Sequence, residues 1–410
     1  MVTRAEVLAL DQADQLAGFR DRFVLDDGLI YLDGNSLGAL PKHTAARVAD
    51  VVSREWGRDL ITSWNRNDWI GMPTRIGDKI GRLIGAAPGQ VVCSDSTSIN
   101  VFKLAAAALA LRPGRRVVVS DRGNFPTDLY MIQGLAELTG GGVELRLVDE
   151  TEVSAAITEE VACVMLTEVN YRTGWRHDMA AVTAATHAAG AISLWDLAHS
   201  AGAFPVALDA VGADLAVGCG YKYLNGGPGA PAFLYVAQRH QDSIRPPLSG
   251  WLGHDAPFAF DLGYRPAAGI QRNVCGTPPV LSMAALECGV DILLEADLDA
   301  IRAKSVALAD LFHTLVEERL PGTFGIVSPR DAARRGSQVC LTHEAGYAIV
   351  QALIAARVIP DFRAPNILRF GLTPLYVRFG DVWDAVDRLV TIMETKTWQQ
   401  PEFQVRAKVT

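Results

Sequence analysis

The chain reads as an α/β protein, with a mainly parallel mixed sheet sandwiched by helices and a smaller α+β unit after it. Three observations predict this. Short β-branched runs alternate with helical patterns between about residues 90 and 240. After about Thr277 the text changes to a long helical pattern, and the remainder returns to short strands separated by helices. Strands alternating with helices build parallel sheets covered on both faces, whereas a compact strand–helix–strand–helix tail builds a separate, smaller layer.

RVVVS (116–120), VELRLV (143–148), ACVML (162–166), AISLW (191–195), DLAVG (214–218) and AFLYV (232–236) are short and rich in Val, Ile and Leu. Strands buried on both faces have this composition. TDLYMIQGLAELTG (127–140) and MAAVTAATHAAG (179–190) are the helical connections, and Gly190 suits a helix C-cap. In open sheets of this kind, ligands bind beyond the carboxyl ends of the strands. Residues 279–320 read as one long helix. SQVCLT (337–342), EAGYAIVQALIAARV (344–358), NILRFGL (366–372) and DVWDAVDRLVTIM (381–393) then read as strand, helix, strand and helix. The expected division is a large domain over 45–280 and a small one over 281–410, completed by residues 1–44.

Composition limits the partners. Hydrophobic residues make up 49% and charged residues 20%, as in a soluble globular protein. The net charge of −8, with no Lys/Arg-rich block, argues against nucleic acid or an anionic membrane as a main partner. The most apolar stretch, Ile99–Leu111, is interrupted by Lys103 and is too short to span a bilayer. The first residues mix acids and bases every few positions, unlike a signal peptide. Six cysteines show no CxxC or metal-ligand spacing, so no metal is expected and a reduced, cytoplasmic enzyme is the natural reading.

Chemistry is sought at the strand ends. Asp196 closes AISLW, His199 follows it, and Lys222 comes one strand and a connection later. Taken singly, Asp196 suits a strand cap and Lys222 a surface charge beside a turn. Together they are the set that pyridoxal 5'-phosphate requires. A lysine forms a Schiff base with its aldehyde, and a carboxylate keeps its pyridine nitrogen protonated as an electron sink. CSDSTSINVFKLAAAAL places Ser94, Ser96, Thr97 and Ser98 before an Ala/Leu-rich helix. Hydroxyls and free N–H groups at a helix start make an anion site, and capping alone needs fewer hydroxyls. DRGNFPTDLY supplies Asp128 and Phe125; the phenyl ring suits either stacking on a pyridine or stapling the helix that starts near Thr127. Thr167 ends ACVMLT, within reach of the same edge.

With these residues in place, the motifs resemble those of the kynureninase family, in order, from about Tyr31 to Met393. They are YLDGNSLGALPK, FPTD, WDLAHSAGAFP, YKYLNGGPGAPAF, GWLGH, CGTPP and FGLTPLY. The Asp-x-Ala-His followed by a lysine is shared with cysteine desulfurases; NSLG, FPTD, GWLGH and TPP point to the kynureninases.

The resemblance implies a pyridoxal-phosphate transferase fold of type I. It implies hydrolysis of the Cβ–Cγ bond of L-kynurenine, or of 3-hydroxykynurenine, to anthranilate or its hydroxy derivative and L-alanine, in tryptophan catabolism or NAD-precursor supply. It makes Lys222 the cofactor anchor and base, and Asp196 the partner of the pyridine nitrogen with His199 beside it. Thr97, Ser98 and Tyr221 address the phosphate, Phe125 lies over the ring, and Asp128 and Thr167 lie around the cofactor. Tyr221 also suits the proton donor to the β-carbon. Trp251 and Thr277 match positions that reach the phosphate from the neighbouring subunit, which implies a homodimer with shared active sites. Arg369 matches the arginine that grips the substrate carboxylate, a task for its planar fork; Trp64, Gly276 and Asn35 surround the substrate.

Two rivals fit less well. A cysteine desulfurase or β-lyase shares the fold, yet a desulfurase needs a reactive cysteine on a mobile loop, and the cysteines here lie mostly in apolar runs. A nicotinamide-dependent oxidoreductase needs a glycine turn from strand to helix. TGGGV (139–143) precedes a strand instead.

Overall fold

The computed structural model describes residues 2–406; residue 1 and the last four residues of the expected small domain lie outside them. Seven strands form the large sheet: β1 (Val91–Cys93), β2 (Val117–Asp121), β3 (Glu144–Val148), β4 (Val161–Thr167), β5 (Ile192–Asp196), β6 (Leu215–Gly218) and β7 (Phe233–Val236). Their order is β1-β7-β6-β5-β4-β2-β3. β2 to β6 pair in parallel, and β7 runs against both its neighbours. The sheet is therefore mainly parallel and mixed, as the sequence predicts. β1 is the strand the sequence reading misses, because three apolar residues between Gln90 and Ser94 are too short a run to stand out.

Successive side chains on a strand point to opposite faces, and this sheet separates two cores by that rule. Val117, Val119 and Trp195 enter one core, whereas Val118, Ile192 and Leu194 enter the other. Helices Thr97–Leu111 and Pro126–Leu138 cover the second through Val101, Leu104, Ile132 and Leu135. Helices Met72–Leu83, Met179–Ala188 and Val280–Glu295 cover the first through Ile76, Ile80, Val182 and Met283.

The long helix expected over 279–320 is two helices, Val280–Glu295 and Leu298–Arg319. Asp297 makes the break, since its carboxylate accepts from the Asp299 N–H as an N-cap does (2.9 Å). The first helix then packs on Met72–Leu83, where Glu287 accepts from both Arg75 and Lys79. A four-stranded antiparallel sheet follows: β8 (Gly325–Ile326), β9 (Gln338–Thr342), β10 (Asp361–Arg363) and β11 (Ile367–Gly371), in the order β10-β11-β9-β8. The N-terminal Ile30–Tyr31 pairs with Val358–Ile359, and Asp33 bridges to Gly371. That lacing carries Asn35–Gly38 toward the large sheet. Among the described residues, no helix is long and apolar enough to cross a membrane.

One buried imidazole sets an acid limit on stability. His313 is fully buried, with Nε2 3.0 Å from Ser328 Oγ. Burial, followed by the Arg330 and Arg335 charges, pushes its pKa down to about 3. The unfolded chain takes up this proton near pH 6.5 and the folded chain does not, so the full stability is present above pH 6.5 and is lost as pH falls. We expect up to about 1.4 kcal/mol per pH unit from this group between pH 6.5 and 3. In urea unfolding, His313→Asn should flatten that slope; an unchanged slope would remove His313 as its source.

Candidate active site

The strand order brings the expected residues to one edge. β6, β5, β4 and β2 are successive neighbours, and their carboxyl ends deliver Lys222, Asp196, Thr167 and the Asp121–Asp128 turn. Thr167 lies directly opposite Asp196 in the ladder. One pocket is lined by Thr97, Ser98, Phe125, Asp128, Thr167, Asp196, His199, Tyr221 and Lys222, with Thr127 and Tyr171 beside them. This inner pocket encloses about 60 Å³. Across Tyr221, which lines both, lies a cavity of about 650 Å³ that includes Ser94, Asp95, Ser96, Gly276 and Thr277.

Lys222 sits on a loop that the chain shapes with care. Asn225, Gly227 and Gly229 all have positive φ (55°, 81° and 74°), so the chain turns sharply after the lysine. Gly38 of the NSLG segment closes on this loop, its N–H donating to the Tyr221 carbonyl (2.8 Å). A Cβ at position 38 would stand 2.3 Å from the Lys222 carbonyl oxygen and 2.5 Å from Asn225 Oδ1. Gly38→Ala must therefore push the lysine loop away. We expect a loss of about 1–3 kcal/mol in stability, typical of overpacking, together with lower activity. Unchanged urea unfolding and turnover would show that the contact does not matter.

Inside the pocket, the Lys222 amine makes no hydrogen bond or ion pair among the described residues. Its Nζ stands 5.9 Å from the ring centroids of both Phe125 and Tyr221. Asp196 Oδ1 accepts from the Ala198 N–H (2.8 Å). Burial raises the Asp196 pKa, while the Lys222 charge and the Ala198 N–H oppose the rise. Burial and the adjacent Asp196 charge hold Asp128 well above the usual carboxylate range. Both acids are raised, and the Lys222 charge and the Ala198 N–H favour the ionised form at Asp196. Thr167 Oγ1 donates to Asn124 Oδ1 and lies 3.3 Å from Asp128 Oδ2.

His199 is buried, with Nδ1 3.2 Å from Gln338 Oε1. Burial and the Lys222 and Arg369 charges hold the imidazole well below its ordinary pKa, so it is neutral. Burial, together with Cys219 and Asp196, pushes the Tyr221 hydroxyl up, and it remains a donor at working pH. Phe125 is itself the N-cap of Pro126–Leu138, because Pro126 starts the helix one residue earlier than expected. A staple needs its apolar residue one position further back. The ring lines the pocket instead, edge-on to Tyr171 at 5.2 Å.

Arg369 stands on β11, 1% exposed. Nη1 donates to the Tyr171 carbonyl (2.8 Å), and Nη2 meets Asp361 Oδ2 (2.5 Å) and Ser36 Oγ (2.5 Å). With its amide oxygen turned to the guanidinium, Asn35 accepts from Arg369 Nε (3.2 Å) and donates to Asp33 Oδ1 (3.2 Å). The NSLG segment thus supports this arginine on one side and the lysine loop on the other. Four of the expected residues line neither cavity: Arg369 and Asn35, which meet the inner pocket through Tyr171 and Gln338, and two tryptophans. Trp64 packs edge-on to Trp69 (6.2 Å), and Trp251, 38% exposed, packs on Phe258 (5.7 Å); neither lines the two cavities.

The residues fit pyridoxal phosphate. Thr97 Oγ1, at the first turn of Thr97–Leu111, is buried without a hydrogen-bond partner. It points to an oxygen-rich ligand at the positive end of a helix. An unpaired amine, a buried carboxylate and an aromatic face complete the set. Among the described residues no cluster suits a metal ion. Tyr171, which lines the pocket, and Asn124 and Gln338, which bond to Thr167 and His199, are residues that sequence reading does not single out. The crowding of polar and aromatic residues in TEVNYRTGW is the only signal for Tyr171, and none exists for Gln338.

Comparison with known proteins identifies relatives of the whole chain. The family model described as Kynureninase C-terminal domain matches residues 301–389. The chain is 54% identical, over 416 aligned positions covering all of both chains, to a protein named Kynureninase from Burkholderia pseudomallei strain 1106a. It is 51% identical over the same full coverage to one of that name from Pseudomonas fluorescens. Among solved structures, the cysteine desulfurase CsdA from Escherichia coli superposes with a TM-score of 0.76 at 19% identity, covering 93% of this chain and 99% of that one. The last likeness is one of fold. Five of the six cysteines here are buried and Cys275 is half-buried, held by Asp95, which leaves no exposed thiol of the kind a desulfurase needs.

Proposed function

The chain belongs to the kynureninase family, and from that premise we propose that the pocket around Lys222 is where it hydrolyses L-kynurenine to anthranilate and L-alanine, with pyridoxal phosphate as cofactor. The observation that carries this assignment is the convergence of the unpaired Lys222 amine, the buried Asp196 and the orphaned Thr97 hydroxyl in one pocket. Thr97 and Ser98 would hold the phosphate, Phe125 would cover the ring, and Asp196 would keep the pyridine nitrogen protonated, with neutral His199 beside it. When bound, the cofactor supplies a carbonyl that condenses with amines and an electron sink for carbanions.

The protein's own groups do the rest. Arg369 takes the substrate α-carboxylate, and Tyr171, Ser36 and Asp361 fix its orientation. Lys222 takes the Cα proton, being free of any competing partner among the described residues. The Lys222 charge and the Ala198 N–H favour the ionised form of Asp196. Water is consumed at the γ-carbonyl as the Cβ–Cγ bond breaks, anthranilate leaves, and the Tyr221 hydroxyl gives its proton to the β-carbon of the departing alanine. Tyr221→Phe, measured at saturating cofactor, should lower kcat by about 10²-fold, within the range for a general acid; an unchanged kcat would remove this role.

The homodimer reading is supported by exposed apolar residues, Trp56 and Ile61 on one segment and Phe258 and Phe260 on another. In that arrangement Trp251 and Thr277 serve the partner's phosphate, and Gly276 and Trp64 border the aniline ring. The six unpaired cysteines support a cytoplasmic location, and the product suits tryptophan catabolism or NAD-precursor supply. Borohydride reduction of the loaded protein tests the site: the cofactor should become fixed to Lys222 in the peptide map. A tag on another lysine, or none, would contradict the assignment.

A further inference from the structure

Lys103 interrupts the most apolar stretch of the sequence, and the proposed mechanism does not use it. It is fully buried in helix Thr97–Leu111. Its Nζ is 2.6 Å from Asp95 Oδ2 and donates to the Asn273 carbonyl (2.8 Å). The same Asp95 carboxylate accepts from Ser94 Oγ (2.8 Å) and from Cys275 Sγ (3.4 Å). Asp95 has φ +53°, a left-handed conformation uncommon for a residue with a side chain. Such strain persists where the surroundings enforce it. Here they do: Ala232 N donates to the Asp95 carbonyl (2.9 Å), Asn100 Nδ2 to the Ser94 carbonyl (2.8 Å), and Lys103 holds the carboxylate. The strained turn leads directly into Ser96, Thr97 and Ser98.

We propose that Lys103 and Asp95 are a positioning pair for the cofactor: one buried ammonium locks the turn that presents Thr97 and Ser98, and ties it to the Asn273–Thr277 segment across the larger cavity. A charge is costly to bury unless paired, and neither group touches the inner pocket wall that Thr97 and Lys222 form. The cost is met where two loops from distant parts of the chain must keep a fixed spacing. A hydrophobic residue at 103 would pack in the helix and leave Asp95 free to relax out of the left-handed region, carrying the phosphate hydroxyls with it. Because Gly276 and Thr277 follow Cys275 directly, the same pair fixes both walls of the cavity.

This inference rests on the cofactor reading above, and the experiment separates the two. Dissociation constants for pyridoxal phosphate are measured by spectral titration on apo-protein, alongside thermal unfolding of the same samples. Thr97→Val reports on the reading itself and should weaken binding at least 10-fold. The decisive variant is Lys103→Met with Asp95→Asn, which removes both charges together so that no buried charge is left unpaired. We expect its unfolding to lie close to wild type while its cofactor dissociation constant rises about 10-fold or more; Asp95→Asn alone should lose both. If the double variant binds within twofold of wild type while Thr97→Val does not, the positioning pair is wrong. If Thr97→Val also binds normally, the phosphate assignment fails first.

Discussion

Lys222→Ala is expected to lower turnover of L-kynurenine by at least about 10³-fold, since it removes the group proposed as both cofactor anchor and base. The fold should survive. Lys222 has no ion-pair partner among the described residues, so its loss breaks no ion pair, although it removes the charge that favours the buried Asp196 carboxylate; stability should change by no more than about 1 kcal/mol. The two results together are diagnostic: a dead enzyme that unfolds in urea close to wild type. Wild-type turnover in the purified variant with added cofactor would end the assignment.

The second large effect is expected at Arg369. Arg369→Lys keeps the positive charge beside Asp361, so folding is spared the cost of an isolated buried acid. It removes the planar fork, which is what a bidentate carboxylate contact requires. We expect kcat/KM to fall by roughly 30- to 1000-fold, the consequence of about 2–4 kcal/mol lost from a buried charged hydrogen bond. Most of the change should lie in KM, because the carboxylate is bound equally before and during the reaction. A variant with unchanged KM would show that the substrate carboxylate lies elsewhere.

The parts of this protein that were legible in the sequence are those set by local rules. Six strands of the large sheet declare themselves through Val- and Ile-rich runs, and Gly190, with φ +70°, ends its helix as a glycine there should. Asp196 and Lys222 are visible because one closes a strand and the other comes just after one, and strand ends are where such sheets work. What stayed hidden depends on contacts between distant segments. β1 is too short to signal alone and exists through its pairing with β7. The helix break at Asp297 hides in a continuous helical pattern and shows only through a cap bond. Gln338, 139 residues from His199, meets it only in the folded chain. Lys103 looked like an interruption of an apolar run, and its meaning lies in Asp95 and Asn273, which no spacing rule connects to it. The resemblance alone points to Trp64, Trp251, Arg369 and Asn35, and in this chain none of the four lines either cavity.

The most direct test of the account is the reaction itself. L-kynurenine is added to purified protein loaded with pyridoxal phosphate, and anthranilate fluorescence is followed together with an assay for L-alanine. The account predicts both products in a one-to-one ratio, abolished in Lys222→Ala. No anthranilate from protein that visibly binds the cofactor, or anthranilate without alanine, would contradict it.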